Sequence, residues 1–473
     1  MEVVLSFFGN LAPSVQRCST NTNMRFSRRF RPSPLFVRNM KPSETRTLLF
    51  ASIGGALEFY DFVIFVFFTS VIARIFFPPY LPEWVRQVQS FGIFAAGYFA
   101  RPLGGIVLAH FGDTRGRKRV FTASVFLMAL PTLTIGLLPT FASVGIAAPL
   151  LLLLMRIVQG AALGGEIPGA WVFVAEHAAN RKSGLAIGLL TSGLCTGLLL
   201  GSLTAIGLDL TFGSELILRG AWRIPFVLGG IFGFIAVLLR RWLAETTVFR
   251  EMQKEGSLSQ ELPLSVVIRD HPKAVLASIL STCIVISGVV VVLLMTPTLL
   301  QKSFGLAVRE TQWANLAAIV AGAIFIVLIA AATDRFGIRR VAVPALVLMV
   351  GSTYLLYLGA SQHQALLVPL YVLAGAGTGA TVLAPLVMVR IFPPAVRFSG
   401  VSVSFNVAQA VFGGFTPLLV SWLAHLDPSG PAHYVAFTAA LGALSLLLIP
   451  STAQLPRRGW TADSVETPGE ARG

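Results

Sequence analysis

Charge is what this chain has least of. Only 12% of its 473 residues are Asp, Glu, Lys or Arg, against 55% hydrophobic ones. That balance excludes a set of soluble domains, and a mean hydropathy of +0.77 belongs to a chain embedded in lipid. Acidic residues are the scarcer sign, 21 against 36 basic ones, for a net charge of +15. The basic residues are scattered over many short breaks and form no stripe, which excludes nucleic acid as the partner. Three cysteines, Cys18, Cys195 and Cys283, have neither paired nor metal-ligand spacing, and the six histidines make no i, i+3 or i, i+4 pair. No metal site is expected, and the cysteines read as packing residues.

What is present is a succession of long apolar runs. Twelve are long enough to cross a hydrocarbon core of about 30 Å, over residues 48-76, 85-111, 120-139, 147-175, 184-209, 222-243, 273-300, 311-333, 341-359, 366-389, 399-425 and 433-450. The fold class expected is therefore an all-α membrane protein. Residues 1-46, rich in Ser, Pro and Arg, lack the apolar core and cleavage site of a secretory signal and read as a disordered basic tail, with Met24 and Met40 as internal alternatives for the start. Residues 451-473 read as a second tail.

With both tails cytoplasmic, 28 of the 36 Lys and Arg residues fall on the inside, six outside and two, Arg101 and Arg156, within the membrane. This asymmetry puts both termini in the cytoplasm of a multi-pass inner-membrane protein. The longest break, 244-272, is charged and separates two sets of six spans, 47-243 and 273-450. A basic turn after the second span, Gly105 followed by Gly112-Asp113-Thr114-Arg115-Gly116-Arg117-Lys118, has a shorter counterpart 221 residues later at Asp334-Arg335-Phe336-Gly337, after the eighth span. Recurrence at the same place in each set points to parallel repeats.

Charges inside a bilayer are costly, and the few present are candidates for function. Glu58 and Asp61 share a face of the first span, and Arg101 and Glu166 lie at roughly the same depth, about 15 Å from the inner surface. A carboxylate there could hold a proton when drawn away from its partner, and the arginines could meet a substrate anion. The plainer readings are a static pair of Arg101 with Glu58, snorkelling of Arg101 inward, and snorkelling of Arg156 outward. Glu176 and His177 read as boundary residues. The second set of spans offers neutral groups such as Thr378, Thr381, Asn406 and Gln409. No nucleophile and base are arranged for catalysis, so no enzyme is expected.

The signature turn, with Ala56-Leu-Glu58-Phe-Tyr-Asp61, Arg101-Pro-Leu-Gly-Gly105, Gly164-Gly165-Glu166, Trp222-Arg223-Ile-Pro225, Glu245-Thr246 and Phe398-Ser-Gly400 with Asn406, resembles the metabolite:proton symporter family of the major facilitator superfamily. That family includes bacterial citrate, α-ketoglutarate, shikimate and proline/betaine transporters. The resemblance covers residues 48 to 450 and implies a major facilitator fold working by alternating access, with the first, fourth, seventh and tenth spans lining the cavity. It further implies uptake of a small organic acid or zwitterion by a monomer, with the proton as coupling ion and no cofactor. Asp113 would hold the cytoplasmic side shut against the start of the eleventh span, where a carboxylate suits a helix N-terminus. The sequence departs from the family at Thr114, usually basic, and at Thr247, usually proline. Alternatives on the same fold are a proton-coupled exporter or antiporter and a non-transporting nutrient sensor.

Overall fold

The computed structural model describes residues 42–178, 183–241, 247–255, 263–360 and 364–448, and every regular element among them is helical. Twelve helices are long and apolar enough to cross a membrane. They are Leu49–Phe67, Glu83–Arg115, Arg117–Leu137, Ala147–His177, Ser183–Gly213, Ile217–Arg240, Pro272–Phe304, Val308–Phe336, Ile338–Gly359, Leu367–Ile391, Pro394–Leu426 and Gly430–Leu447. Each falls where an apolar run was expected. The N-terminal tail is shorter than expected, since 42–46 already belong to the helix Pro42–Phe67. Residues 1–41 and 451–473 lie outside the described residues.

Several helices overrun the apolar segments, at the basic turn among other places. The basic turn shrinks to a single residue, Gly116, between a helix ending at Arg115 and one starting at Arg117. Arg and Lys are good helix formers whose charged ends reach the headgroups, so hydropathy stops before the helix does. Gly116 has φ 113° and its counterpart Gly337 has φ 85°, backbone that a side chain would strain. Conversely, the first apolar run is broken at Phe68, and a separate short helix, Thr69–Ile75, follows.

Packing repeats with a shift of six spans. The second span packs on the fourth, the first on the fifth and the third on the sixth, as the eighth packs on the tenth, the seventh on the eleventh and the ninth on the twelfth. Two further pairings, the fifth with the eighth and the second with the eleventh, are each other's image under the same shift. The sets differ in backbone. The seventh span has a π-helical stretch at Ser287–Met295, the eleventh another at Gln409–Gly413, and the tenth tightens to 3₁₀ at Thr378–Val382. Such stretches re-aim side chains within a helix. All three stretches reach the wall of the cavity described below.

Candidate functional site

A cavity lies among the first, second, fourth, fifth, seventh, tenth and eleventh spans. It has about 70 Å³ of space for the centre of a water-sized sphere, several times what one water needs. The four spans expected at the cavity all contribute, and the second, fifth and eleventh join them. Its wall is mostly aliphatic and aromatic, with Arg101 its charged residue.

Arg101 reaches that wall across the boundary between the two sets of spans. Its Nε donates to Asn406 Oδ1 at 3.2 Å, and the guanidinium lies 5.3 Å from the ring centroids of both Tyr98 and Phe405. Asn406 is itself fixed, its Nδ2 donating to Gly164 O at 2.6 Å and to Ser402 O at 2.8 Å. Gly105 faces Asn406 and Ser402 across the same contact. Arg101 Nη2 is buried and has no acceptor among the described residues. Arg101 therefore neither pairs with Glu58 nor snorkels, because rings and an amide hold it inward.

Glu58 has a different partner. Its Oε1 is paired with Arg240, which is fully buried near the end of the sixth span. Arg240 also donates from Nη1 to Phe121 O at 2.5 Å, and its guanidinium lies 3.4 Å from the Phe121 ring centroid. Arg240 is a further buried arginine, concealed in the sequence by Arg241, because adjacent arginines closing an apolar run look like a boundary pair. Glu166 adjoins Glu58 and Arg240, and its Oε2 has no hydrogen-bond partner among the described residues.

Arg156 does not snorkel outward either. It is 2% exposed, donates from Nη1 to Gln159 Oε1 at 3.0 Å and lies 4.1 Å over the Phe65 ring. Asp61 and Glu166 are both buried, and Asp61 Oδ1 has no hydrogen-bond partner among the described residues. Neither carboxylate lines the cavity, nor do Glu58 and Arg156. The six candidates are thus split between one cavity residue, Arg101, with its amide support, Asn406, and three carboxylates and one arginine, Arg156, behind the wall.

At the signature turn, Asp113 Oδ2 accepts from Ser399 N at 2.9 Å and Ser399 Oγ at 2.7 Å, near the start of the eleventh span. Arg117 lies 3.0 Å from Asp113 Oδ1 and 3.6 Å from Glu176 Oε2, and donates to Gly112 O and Pro394 O. Arg397 faces Glu176 at 3.3 Å. Glu176, expected as a boundary residue, is at the boundary but buried between two arginines. A Cβ on Gly112 would strike the Phe398 ring, so this glycine is what lets the ring seat. The second copy does the same with backbone alone. Asp334 Oδ1 accepts from Gly184 N at 2.9 Å and Oδ2 from Leu185 N at 2.8 Å, at the start of the fifth span, with Arg390 at 3.5 Å. Arg115 and Arg335 stay exposed, each over a neighbouring phenylalanine, and Lys118 is half-buried. Thr114 donates to His110 O within its own helix.

The twelve-span fold is matched by known proteins. Residues 63–307 and 277–468 match the Major Facilitator Superfamily. The chain belongs to the Major Facilitator Superfamily. Members of this superfamily are membrane transporters rather than enzymes. The ectoine/proline transporter ProP of Corynebacterium glutamicum is 33% identical over 89% of this chain and 86% of its own length. The proline/betaine transporter of Salmonella typhimurium is 28% identical over 87% of this chain and 84% of its own. Among solved structures, the proton:xylose symporter XylE superposes with a TM-score of 0.70 at 17% identity, over 86% of this chain and 94% of that one. The human organic anion transporter MFSD10 gives 0.62 at 15% identity, over 87% and 100%. These superpositions establish the shared fold.

Proposed function

We propose that this chain is a proton-coupled symporter of the inner membrane, which takes up a small zwitterion or carboxylate by rocking two halves, 47-243 and 273-450, about the cavity, with both termini cytoplasmic. One observation carries the substrate class: a buried guanidinium, Arg101, lines the cavity with Nη2 free of any acceptor among the described residues. A desolvated guanidinium with an open N–H is a site for a carboxylate. Relatives named for proline, betaine and ectoine support a zwitterion.

The proton is assigned to the carboxyls behind the wall. Glu58 and Glu166 adjoin and share Arg240. Two carboxyls facing one buried guanidinium leave one of them without a counter-charge, which makes that place suited to a proton. The cytoplasmic contacts of Asp113 and Asp334 tie each set of spans to a helix start of the other, and breaking both is the event that opens the cavity inward. Each carboxylate completes unsatisfied N–H groups and meets the positive end of a helix.

The test is uptake into proteoliposomes. An imposed inward proton gradient should concentrate a labelled zwitterion or organic acid, and abolishing the gradient should leave only exchange. Failure of every such solute to accumulate would refute symport and favour an exporter or a sensor.

A further inference from the structure

Ser399, Ser402 and Asn406 recur on the eleventh span at the i, i+3, i+7 spacing of one helix face, and each bonds to the other set of spans. Ser399 donates to Asp113, Ser402 Oγ to Gly164 O at 3.1 Å, and Asn406 Nδ2 to the same carbonyl at 2.6 Å. Asn406 Nδ2 also donates to Ser402 O, and two carbonyl acceptors fix the amide so that its Oδ1 is the atom that meets Arg101. Gly105 makes room for this contact, since a Cβ there would lie 2.6 Å from Asn406 Nδ2 and 2.7 Å from Ser402 Oγ.

In a guanidinium, Nε and Nη2 share one edge, which can take a carboxylate in two parallel bonds. Asn406 Oδ1 occupies Nε of Arg101 at 3.2 Å, while Nη2 has no acceptor among the described residues. A neutral amide at that distance is a weaker acceptor than a carboxylate, which displaces it. We infer that Asn406 couples the substrate to opening: a carboxylate arriving in the cavity takes the Nε–Nη2 edge of Arg101, releases Asn406, and so loosens the helix face that Asp113 also holds. The inference rests on the reading of Arg101 as the carboxylate's partner, and it makes Asn406, which does not line the cavity, a positioning residue. Linkage makes the effect reciprocal, so loss of Asn406 must strengthen binding.

The probes are proline and succinate, with prolinamide as a control lacking the carboxylate, added to the purified full-length chain in detergent. Affinity is followed by tryptophan fluorescence, in which Trp171 reports from the cavity wall, its Nε1 without an acceptor among the described residues. Separation of the two sets is followed by electron-electron resonance between spin labels at Arg119→Cys and Arg339→Cys, exposed positions that begin the third and ninth spans, with the native cysteines replaced by Ser. In the parent, proline or succinate should lengthen the distance between the labels, and prolinamide should not. Asn406→Ala should bind the same carboxylate about tenfold more tightly, because no acceptor has to be displaced, and should lower the closed-to-open ratio about tenfold before any is added. Gly105→Ala pushes the amide away without removing it and should reproduce both effects. Asn406→Asp puts a carboxylate on the same edge and should weaken binding at least about tenfold. A gain in affinity is a result that damage to the fold would not produce.

Unchanged or weaker binding in Asn406→Ala would place the carboxylate on the Nη1–Nη2 end of Arg101 and overturns the inference. Labels in the parent that ignore proline and succinate, or respond equally to prolinamide, overturn it too, as does the absence of binding by either carboxylate. If a proton gradient still concentrates an acid or zwitterion in proteoliposomes, the symport reading survives that failure. If nothing accumulates, both fall.

Discussion

Replacing Asp113 should unlock the contact between the two sets of spans, by an amount the structure sets. Its carboxylate accepts two hydrogen bonds from Ser399, which belongs to the opposite set of spans, whereas its ion pair with Arg117 lies within its own set and can persist when the sets separate. Only the Ser399 bonds are therefore specific to the closed arrangement. Hydrogen bonds to a charged group contribute about 1.5 to 3 kcal/mol each and are not additive, so about 3 kcal/mol is a fair figure for the two. That corresponds to roughly a hundredfold shift of the closed-to-open ratio in Asp113→Ala. Asp113→Asn keeps an acceptor without the charge and should shift it about tenfold. Cys195 lines the cavity and provides a native reporter. With Cys18 and Cys283 replaced by Ser, its alkylation rate by N-ethylmaleimide in everted vesicles should rise in the order parent, Asn, Ala. A rate in Asp113→Ala within about threefold of the parent would refute the lock.

Further expectations concern the buried groups. Arg240→Gln leaves Glu58 without its counter-charge, a loss of about 3 to 5 kcal/mol that lowers the melting temperature; adding Glu58→Gln should restore stability but not gradient-driven uptake, and unchanged melting in the single variant would count against the pair. Glu58→Gln alone should abolish accumulation while sparing counterflow, and equal accumulation with and without it would remove Glu58 from the proton path. Gly112→Ala should push Phe398 from its seat and raise Cys195 alkylation, and Phe398→Ala on the same chain should relieve the clash.

The topology could be read from the sequence because membrane spans need only length and apolarity, and both are local. The repeat at Asp113 and Asp334 was legible for the same reason, as was the burial of Glu58, Asp61, Arg101, Arg156 and Glu166. Pairing was not. Arg101 meets Asn406 from 305 residues away, and Glu58 meets Arg240, through packing that no spacing encodes. Trp171 gave no signal, since an indole in an apolar run looks like any other packing residue; its open N–H is visible only once its neighbours are placed. Glu176 and Arg397 sat at helix ends, where charge is ordinary, and only the fold shows that they are buried together with Arg117.

The buried charges also predict how transport responds to voltage. Among the described residues the fully or nearly buried charged side chains are Glu58, Asp61, Asp113, Glu166 and Glu176 against Arg101, Arg117, Arg156, Arg240 and Arg397, so the signs cancel when all are ionised. A protein that is neutral inside adds no charge of its own to the load. A zwitterion carried with one proton then moves one positive charge inward, whereas a monoanion carried with one proton moves none. A charge crossing 100 mV gains about 2.3 kcal/mol, enough for roughly fiftyfold accumulation. Proteoliposomes with equal pH on both sides and an inside-negative potassium diffusion potential should therefore concentrate a zwitterion, with the logarithm of the accumulation ratio proportional to the potential. They should leave a monocarboxylate near equilibrium. If the potential has no effect on zwitterion uptake while a pH gradient still drives it, some residue must carry a compensating charge back, and the neutral interior inferred from these ten side chains would be wrong.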